Sequence, residues 1–221
     1  NAYTAYTLRA MARFALRDFQ GAERELESAA SRIHHPILLH NLSIAYTASG
    51  RYEEAERELT TARSLLPGEL QPLVNLALLY GEWKKPREAE DAWRQVLRLA
   101  PGHPDAHFTL GTLAEQRGDL AAARREREEA VRIRPTEARA LGELGLVESR
   151  LGNDARAAGL WERVLALDPG DARAHFNLAL HYANRGTRDR AVTHYQAFLR
   201  LSPTGEAADR ARAALAALGA R

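Results

Sequence analysis

The chain has 221 residues and a mass of 24.5 kDa, enough for one or two ordinary domains or for one longer array of repeats. Its composition, with 45% hydrophobic and 27% charged residues, excludes a collagen-like or low-complexity disordered protein. The absence of cysteine excludes disulfides, thiolate metal sites and a thiol nucleophile, and the formal net charge of +2 gives little support to a nucleic-acid partner.

The sequence leaves the cellular compartment open between bacterial cytoplasm and periplasm. No apolar run approaches the ~20 residues of a membrane span, so we expect no membrane insertion. The chain starts at Asn1 without a signal-like segment, which suggests a mature form or an excised fragment. All basic residues except Lys84 and Lys85 are arginine, a bias associated with bacteria that have GC-rich genomes.

Four columns of residues recur with a period of 34 residues. The proline column is Pro67, Pro101, Pro135, Pro169 and Pro203. Twelve residues before each proline is an alanine: Ala55, Ala89, Ala123, Ala157 and Ala191. A leucine column consists of Leu42, Leu76, Leu110, Leu144 and Leu178, and a glycine column of Gly50, Gly118, Gly152 and Gly186. Four columns at one period indicate an array of structural repeats.

These columns resemble the tetratricopeptide repeat, whose pattern is W-x2-L-G-x2-Y, then A-x3-F, then P. The copy that begins at Leu70 carries the pattern as Leu73, Leu76, Ala77, Tyr80, Ala89, Trp93 and Pro101. The copy that begins at Ala138 carries it as Leu141, Leu144, Gly145, Ala157, Trp161 and Pro169. The resemblance covers about residues 3–205 and implies an all-α, right-handed α-solenoid of six helix pairs with a C-terminal capping helix.

The resemblance therefore predicts a single array over residues 1–221. Its predicted parts are a degenerate repeat 1 (3–35), repeats 2 to 6 (36–69, 70–103, 104–137, 138–171 and 172–205) and a capping helix (206–221).

The first copy departs most from the pattern, because Arg9 and Arg13 stand at positions that are normally apolar. Its first helix carries Tyr3, Tyr6 and Phe14. We expect this helix to act as an N-terminal cap or to mediate self-association.

Two middle copies also depart from the pattern. In the third, Lys84 replaces the turn glycine, and Pro86 then suits the start of a helix. Trp83, just before it, is either a binding anchor or a cap of the helix end. In the fourth, Arg127 replaces a large apolar residue and His107 an aromatic one, which predicts the least well-packed pair.

After the last repeat, the segment from Glu206 to Leu218 is predicted to form an amphipathic helix. Ala207, Ala211 and Leu215 are expected to face the array. Such a helix with a polar outer face closes the apolar end of a solenoid.

The resemblance implies that the first helices line a concave surface, whose inward positions are candidates for binding a protein or peptide. These candidates are His40, Asn41, Ile44, Val74, Asn75, Leu78, Phe108, Thr109, Thr112, Arg139, Glu143, Leu146, Arg173, Phe176, Asn177 and Leu180.

Three asparagines among these candidates, Asn41, Asn75 and Asn177, share one phase of the repeat. An amide side chain can pair with a peptide backbone, and the row is similar to the asparagine ladder in the superhelix of O-linked N-acetylglucosamine transferase. Alternatively, each asparagine bonds to the neighbouring repeat.

The apolar candidates, such as Ile44 and Leu78, predict a strip that accepts an amphipathic helix or spaced hydrophobic anchors. Packing between adjacent first helices is the alternative. The charged candidates are also compatible with ordinary solvated surface. Where chaperone-binding members of the family carry Lys and Asn, this chain has His40 and Ile44, so chaperone C-termini are not the expected ligand.

The sequence predicts no catalytic residue, cofactor or metal site. No phosphate-binding G-x-x-x-x-G-K-[ST], G-x-S-x-G or H-E-x-x-H motif occurs. His34, His35 and His40 lack a carboxylate at ligand spacing. Runs of mixed charge, such as 124–129, are typical of solvated helix faces, so we expect no nucleic-acid partner.

Together these observations predict a non-catalytic interaction module, or scaffold, that holds a protein or peptide segment in its concave groove. The alternative is a substrate-recruiting or regulatory arm of a larger enzyme, such as a glycosyltransferase, whose catalytic domain is absent from this chain.

Overall fold

The structure is a computed structural model that describes residues 2–33 and 35–219, with the backbone alone for Ala2 and Tyr3. Within these residues the chain forms thirteen α-helices and no strand. The helices are α1 (Ala2–Ala15), α2 (Phe19–Ala30), α3 (Pro36–Ala48), α4 (Tyr52–Leu65), α5 (Gln71–Glu82), α6 (Pro86–Leu99), α7 (Pro104–Gln116), α8 (Leu120–Ile133), α9 (Ala138–Arg150), α10 (Asp154–Leu167), α11 (Ala172–Asn184), α12 (Arg188–Leu201) and α13 (Glu206–Ala217). The all-α fold class that the resemblance to the tetratricopeptide repeat implies is confirmed.

The chain divides into two compact units, Asn1–Ala106 and His107–Arg221, here called unit 1 and unit 2.

 The boundary between them falls within α7. In unit 1, the helices pair as α1–α2, α3–α4 and α5–α6, and each second helix of the first two pairs also packs against the helix that follows it. In unit 2, α9–α10 and α11–α12 pair in the same way, α8 packs on α9, α10 on α11, and α13 on α12. This stacking of consecutive helix pairs is the arrangement of an α-solenoid.

A residue in the left-handed conformation closes the turn inside each helix pair. Four of these residues are glycines with φ between +71° and +80°: Gly50, Gly118, Gly152 and Gly186. The next residue donates its N–H to a carbonyl five residues earlier, as Arg51 does to Tyr46 at 2.8 Å, which satisfies the end of the first helix. Lys84 (φ +58°) and Arg17 (φ +60°) adopt the same conformation in their pairs, where a side chain strains the backbone.

Each unit has its own apolar core. In unit 1 the core includes Leu26, Leu38 and Leu59, and in unit 2 it includes Leu178 and Tyr195. The alanine column lies where the paired helices cross, and its members are at most 2% exposed: Ala22, Ala55, Ala89, Ala123, Ala157 and Ala191. A larger side chain at these positions would force the two backbones apart, which explains the recurrence of alanine.

In two helix pairs of unit 2, the small position in the first helix is glycine and a large side chain lies opposite it. A Cβ atom on Gly145 would lie 2.9 Å from Cδ1 and 3.0 Å from Cε2 of Trp161. A Cβ atom on Gly111 would lie 3.1 Å from Nε of Arg127. The glycines therefore give these two side chains the space to pack across the helix pair.

The pair α7–α8, which the sequence predicts to be poorly packed, is filled by polar side chains with partners. Arg127 is only 2% exposed. Its guanidinium donates to Glu115 Oε1 at 2.8 Å, to Thr112 Oγ1 at 2.9 Å and to the carbonyl of Phe108 at 3.0 Å. The buried His107 ring contacts Glu126 Oε2 through Nδ1 at 2.8 Å. Polar contacts thus replace the apolar packing that the repeat pattern leads one to expect.

The first helix, α1, leaves apolar side chains at the surface. Leu8 is 61% and Met11 is 58% exposed, while Arg9 and Arg13 both pair with Glu25 on α2. Of the aromatic residues that the sequence singled out, Tyr6 and Phe14 pack against the unit 1 core. The side chain of Tyr3 lies outside the described residues.

The last helix, α13, covers the end of unit 2 with Ala208, Ala211 and Leu215, all of which are buried. Ala207, which the sequence assigned to the inward face, is instead exposed. The helical period explains the difference, because positions 208, 211 and 215 form one stripe and position 207 lies outside it, about 40° beyond its edge at position 211.

Candidate functional site

The sixteen candidate residues all lie on first helices of the pairs, and the fold buries none of them completely. Those of unit 1 are on α3 and α5, and those of unit 2 are on α7, α9 and α11. Most of them line hollows on the surface of their own unit, which are described in turn.

The unit 1 hollow is a mainly apolar cavity of about 360 Å³ between α3 and α5. Four candidates line it, namely His40, Ile44, Asn75 and Leu78. Ile44 is 44% and Leu78 is 53% exposed, so two large aliphatic side chains stand in solvent beside a concave surface. Such a surface favours the docking of an apolar side chain from a partner.

A hydrogen-bonded pair crosses the unit 1 hollow. The Asn75 amide nitrogen lies 2.6 Å from His40 Nδ1, and Asn75 Oδ1 accepts a hydrogen bond from Gln71 at 2.9 Å. Because the amide group donates, the imidazole accepts through Nδ1 and is neutral. Burial lowers the pKa of His40 and favours the same neutral form. Asn75 therefore bonds to the neighbouring repeat, the alternative that the sequence left open.

The other two asparagines differ from Asn75. The Asn41 amide donates a long hydrogen bond of 3.4 Å to Thr7 on α1. The Asn177 side chain makes no hydrogen bond to any other described residue, although it lines two of the hollows of unit 2. Asn177 is thus the member of the row whose donors and acceptors remain available.

The arginine hollow of unit 2 is a cavity of about 400 Å³ between α7 and α9. Its lining residues are Phe108, Thr112, Glu115, Gln116, Arg127, Arg139, Glu143 and Arg150. Two guanidinium groups contact the Phe108 ring, with the Cζ atoms of Arg127 and Arg139 each 4.2 Å from its centroid. Both contacts are cation–π interactions, which hold Arg139 at the edge of the hollow.

Two carboxylates in this region are already paired. Glu115 accepts from the buried Arg127 through Oε1, and its Oε2 lies 3.4 Å from Arg150. Glu143 lies 3.1 Å from Arg173 on α11. These pairs link α7, α8, α9 and α11 across the first-helix surface.

The asparagine hollow of unit 2 is a cavity of about 420 Å³ between α9 and α11. Its lining includes the candidates Leu146, Asn177 and Leu180, together with Arg150 and Arg185. A narrow cleft lined by Arg139, Glu143, Leu146, Arg173 and Asn177 shares lining residues with this hollow and with the arginine hollow. The first helices of unit 2 therefore present one continuous surface of mixed polarity.

Four candidates line none of these hollows: Asn41, Val74, Thr109 and Phe176. Phe176 packs against Phe198 at a centroid distance of 5.0 Å and against Tyr195 at 6.1 Å. Its role is largely that of a core residue, because both contacts are with buried side chains of α12.

Trp83 packs as a cap of the helix end. Its ring stacks on Tyr52 at a centroid distance of 5.6 Å, and the Lys85 ammonium lies 3.1 Å from the ring centroid. These neighbours cover the indole ring, so Trp83 offers little surface to a partner.

The histidines outside the candidate set serve local structure where they are described. His35 accepts a hydrogen bond from the Ile37 N–H at the start of α3, and His34 lies outside the described residues. His175 contacts His194 through the two Nδ1 atoms at 2.9 Å, and its Nε2 donates to the Pro169 carbonyl at 3.1 Å. Within residues 2–33 and 35–219, no group of three potential metal ligands occurs.

Sequence reasoning missed two contributions to this surface. Arg127 was considered only as a packing defect, whereas it forms the buried side of the Phe108 stack. Arg185, at the end of α11, lines the asparagine hollow. For Arg127 a signal was available, because the repeat normally has a large apolar residue at that position. Arg185 has no such signal in the sequence.

Comparison with known proteins decides the family. Two family models of the tetratricopeptide repeat match the chain, one over residues 74–138 and 143–206 and the other over residues 38–67. The chain belongs to the tetratricopeptide repeat family. Tetratricopeptide repeat proteins are generally non-catalytic, so the assignment supports a protein-interaction role for this chain. No curated protein sequence matches it.

Solved tetratricopeptide repeat structures share this fold. PilF of Pseudomonas aeruginosa superposes with a TM-score of 0.76 at 16% identity, covering 95% of this chain and 96% of its own. A tetratricopeptide repeat protein of Parabacteroides merdae gives 0.73 at 21% identity, covering 97% and 86%. YrrB, described as having an unusual peptide-binding site, gives 0.69 at 20% identity, covering 85% and 97%. Identities this low show the fold alone.

The described helices of this tetratricopeptide repeat protein include none with the length and apolar character needed to cross a membrane. The sequence-based expectation of no membrane insertion rested on the same lack of a long apolar run.

Proposed function

We propose that this chain is a non-catalytic interaction module that holds a protein or peptide segment against its first helices. The observation that carries the proposal is the gathering of unburied first-helix side chains around hollows within each unit. The chemistry of these side chains suits a peptide. Ile44 and Leu78 offer apolar contact, and Asn177 offers an amide for a peptide backbone.

The two units offer different chemistry to a ligand. The unit 1 hollow, with Ile44 and Leu78, fits an apolar anchor residue. The surface of unit 2, with Arg139 and Asn177, fits polar and charged groups. The peptide-binding site in the name of YrrB gives this proposal a structural precedent at the level of the fold.

The test is selection of a phage-displayed library of random 12-residue peptides on the purified chain, followed by titration of the enriched peptides. Leu78→Glu and Leu180→Glu place a charge in the unit 1 hollow and in the asparagine hollow, respectively. Leu99→Glu is the matched control, because Leu99 is 56% exposed at the end of the second helix α6. We expect at least one of the first two variants to lose binding, whereas the control retains it.

Two results would contradict the proposal. One is a failure to enrich any peptide on the native chain. The other is an equal affinity of the native chain and of both groove variants for the enriched peptides, provided that circular dichroism shows all the variants to be folded.

Self-association through α1 also belongs to the proposal, and the exposed side chains of Leu8 and Met11 support it. We expect sedimentation velocity to show concentration-dependent association that Leu8→Glu combined with Met11→Glu abolishes. A native chain that stays monomeric at every concentration would exclude this part of the proposal.

A further inference from the structure

The guanidinium group of Arg139 is held in place without a carboxylate partner. It stacks on the Phe108 ring with its Cζ atom 4.2 Å from the centroid, and the residue as a whole is exposed. Among the described residues, no carboxylate forms a salt bridge with it. A guanidinium that stacks through its face keeps its N–H groups at the edge for hydrogen bonds.

The carboxylates that line the arginine hollow are committed to other arginines. Glu115 lies between Arg127 and Arg150 and uses one oxygen for each. Glu143 pairs with Arg173. The positive charge of Arg139 is therefore the one in this hollow that its described lining does not neutralise.

A second arginine, Arg127, helps to position the ring on which Arg139 stacks. Arg127 contacts the same Phe108 ring, with its Cζ atom 4.2 Å from the centroid, and is itself fixed by Glu115, Thr112 and the Phe108 carbonyl. Because the buried Arg127 helps to hold the ring, Arg139 stacks on a supported surface. A pre-positioned guanidinium loses less conformational entropy when it binds an anion.

We propose that the arginine hollow binds a carboxylate of an acidic peptide segment, with Arg139 as the group that pairs with it. This inference rests on the proposed function and adds the chemistry of the ligand. Charge complementarity carries it, since an incoming carboxylate supplies the counter-charge that Arg139 lacks. The planar carboxylate matches the fork of N–H donors, so two parallel hydrogen bonds can form. Asn177, across the adjoining cleft, is placed to contact the backbone of the same segment.

The test applies the 12-residue peptide library to three proteins: the native chain, Arg139→Gln and Arg125→Gln. Arg125 is the matched control, because it is an exposed arginine of unit 2 on the second helix α8 and lines none of the hollows described above. Both substitutions remove one positive charge. We expect Asp and Glu to be enriched among peptides selected by the native chain and by Arg125→Gln, and this enrichment to disappear with Arg139→Gln.

Titration of one enriched synthetic peptide gives the size of the effect. We expect Arg139→Gln to weaken binding by about three- to tenfold, as for a partly exposed charge-assisted pair, and Arg139→Lys to recover part of the loss. Replacing the acidic residues of the peptide by Gln or Asn should cause the same loss in the native chain and no further loss in Arg139→Gln. Comparison of amidated and free C-termini shows whether a side chain or the chain end supplies the carboxylate.

The outcomes separate this inference from the proposed function. Enrichment of peptides without acidic preference, or equal affinity of Arg139→Gln and the native chain, overturns the inference alone. Failure of the native chain to enrich any peptide overturns both.

Discussion

Two glycines of α9, one turn apart, allow the packing of the repeat core to be measured directly. A Cβ atom added to Gly145 would lie 2.9 Å from Cδ1 of Trp161, a side chain that is only 4% exposed. A Cβ atom added to Gly142 would meet nothing closer than Val164 Cγ2 at 4.0 Å. Gly145→Ala and Gly142→Ala thus make the same chemical change in the same helix, with and without a steric conflict.

The expected difference follows from two opposing contributions. Replacing glycine by alanine inside a helix stabilises the folded state by about 1 kcal/mol, and this gain applies to both variants. Forcing an extra methyl group into a packed core costs about 1–3 kcal/mol, and this cost applies to Gly145→Ala alone. Since the helix contribution cancels in the comparison, Gly145→Ala should be less stable than Gly142→Ala by about 1–3 kcal/mol.

The assay is thermal unfolding followed by circular dichroism, with the midpoints of the two variants compared. For a chain of this size, each 1 kcal/mol corresponds to about 2–4 °C. A Gly145→Ala midpoint equal to or above that of Gly142→Ala would refute the reasoning. It would mean that the Trp161 indole moves aside. The third repeat carries such a pair, with Ala77 and Trp93 at the positions equivalent to Gly145 and Trp161.

Three further predictions concern other departures from the repeat pattern. Lys84→Gly should raise the free energy of unfolding by about 0.5–1 kcal/mol because glycine adopts the left-handed conformation without strain, whereas Gly118→Lys should lower it by a similar amount. Urea unfolding measures both changes, and a loss of stability in Lys84→Gly would contradict the prediction. Arg127→Met should destabilise by about 1–3 kcal/mol because Glu115 loses its main partner, and a variant that gains stability would contradict this. Burial, and then the charge of His175, lower the pKa of His194 below its ordinary 6.5, so the unfolded chain binds more protons than the folded chain as the pH falls. The contribution of His194 to stability should therefore be complete above pH 6.5 and fall as the pH decreases, and the fall should be smaller in His194→Gln. Urea midpoints that do not change between pH 7.5 and 5.5 would contradict this.

Most of the fold could be predicted from the sequence because the repeat imposes local rules. Alanine every 34 residues marks the helix crossings, and Gly50 and its counterparts mark the left-handed turns. Helix lengths and turn positions depend on a few neighbouring residues, so they can be recognised in the chain. The phase of α13 was less accurate, with Ala208 rather than Ala207 buried, since no repeat pattern fixes it.

The candidate site could be predicted only as a set of positions. The period identified positions on the first helices that are not fully buried, although Phe176 among them packs against the core of unit 2. It did not show that Asn75 bonds to His40 whereas Asn177 keeps its amide available. Those outcomes depend on the side chain that the adjacent helix places opposite, and the two helices are about one repeat apart in the chain.

The sequence by itself determined the family, the helix pairs and the helix faces that remain outside the core, because each follows from a pattern repeated along the chain. Only the tertiary structure decided which polar groups are already satisfied. The charge of Arg127 is neutralised by Glu115, and that of Arg139 is not, although both stack on the same ring. The physical reason is that hydrogen bonds and ion pairs require atoms within about 3 Å, and that proximity arises only when neighbouring helices pack.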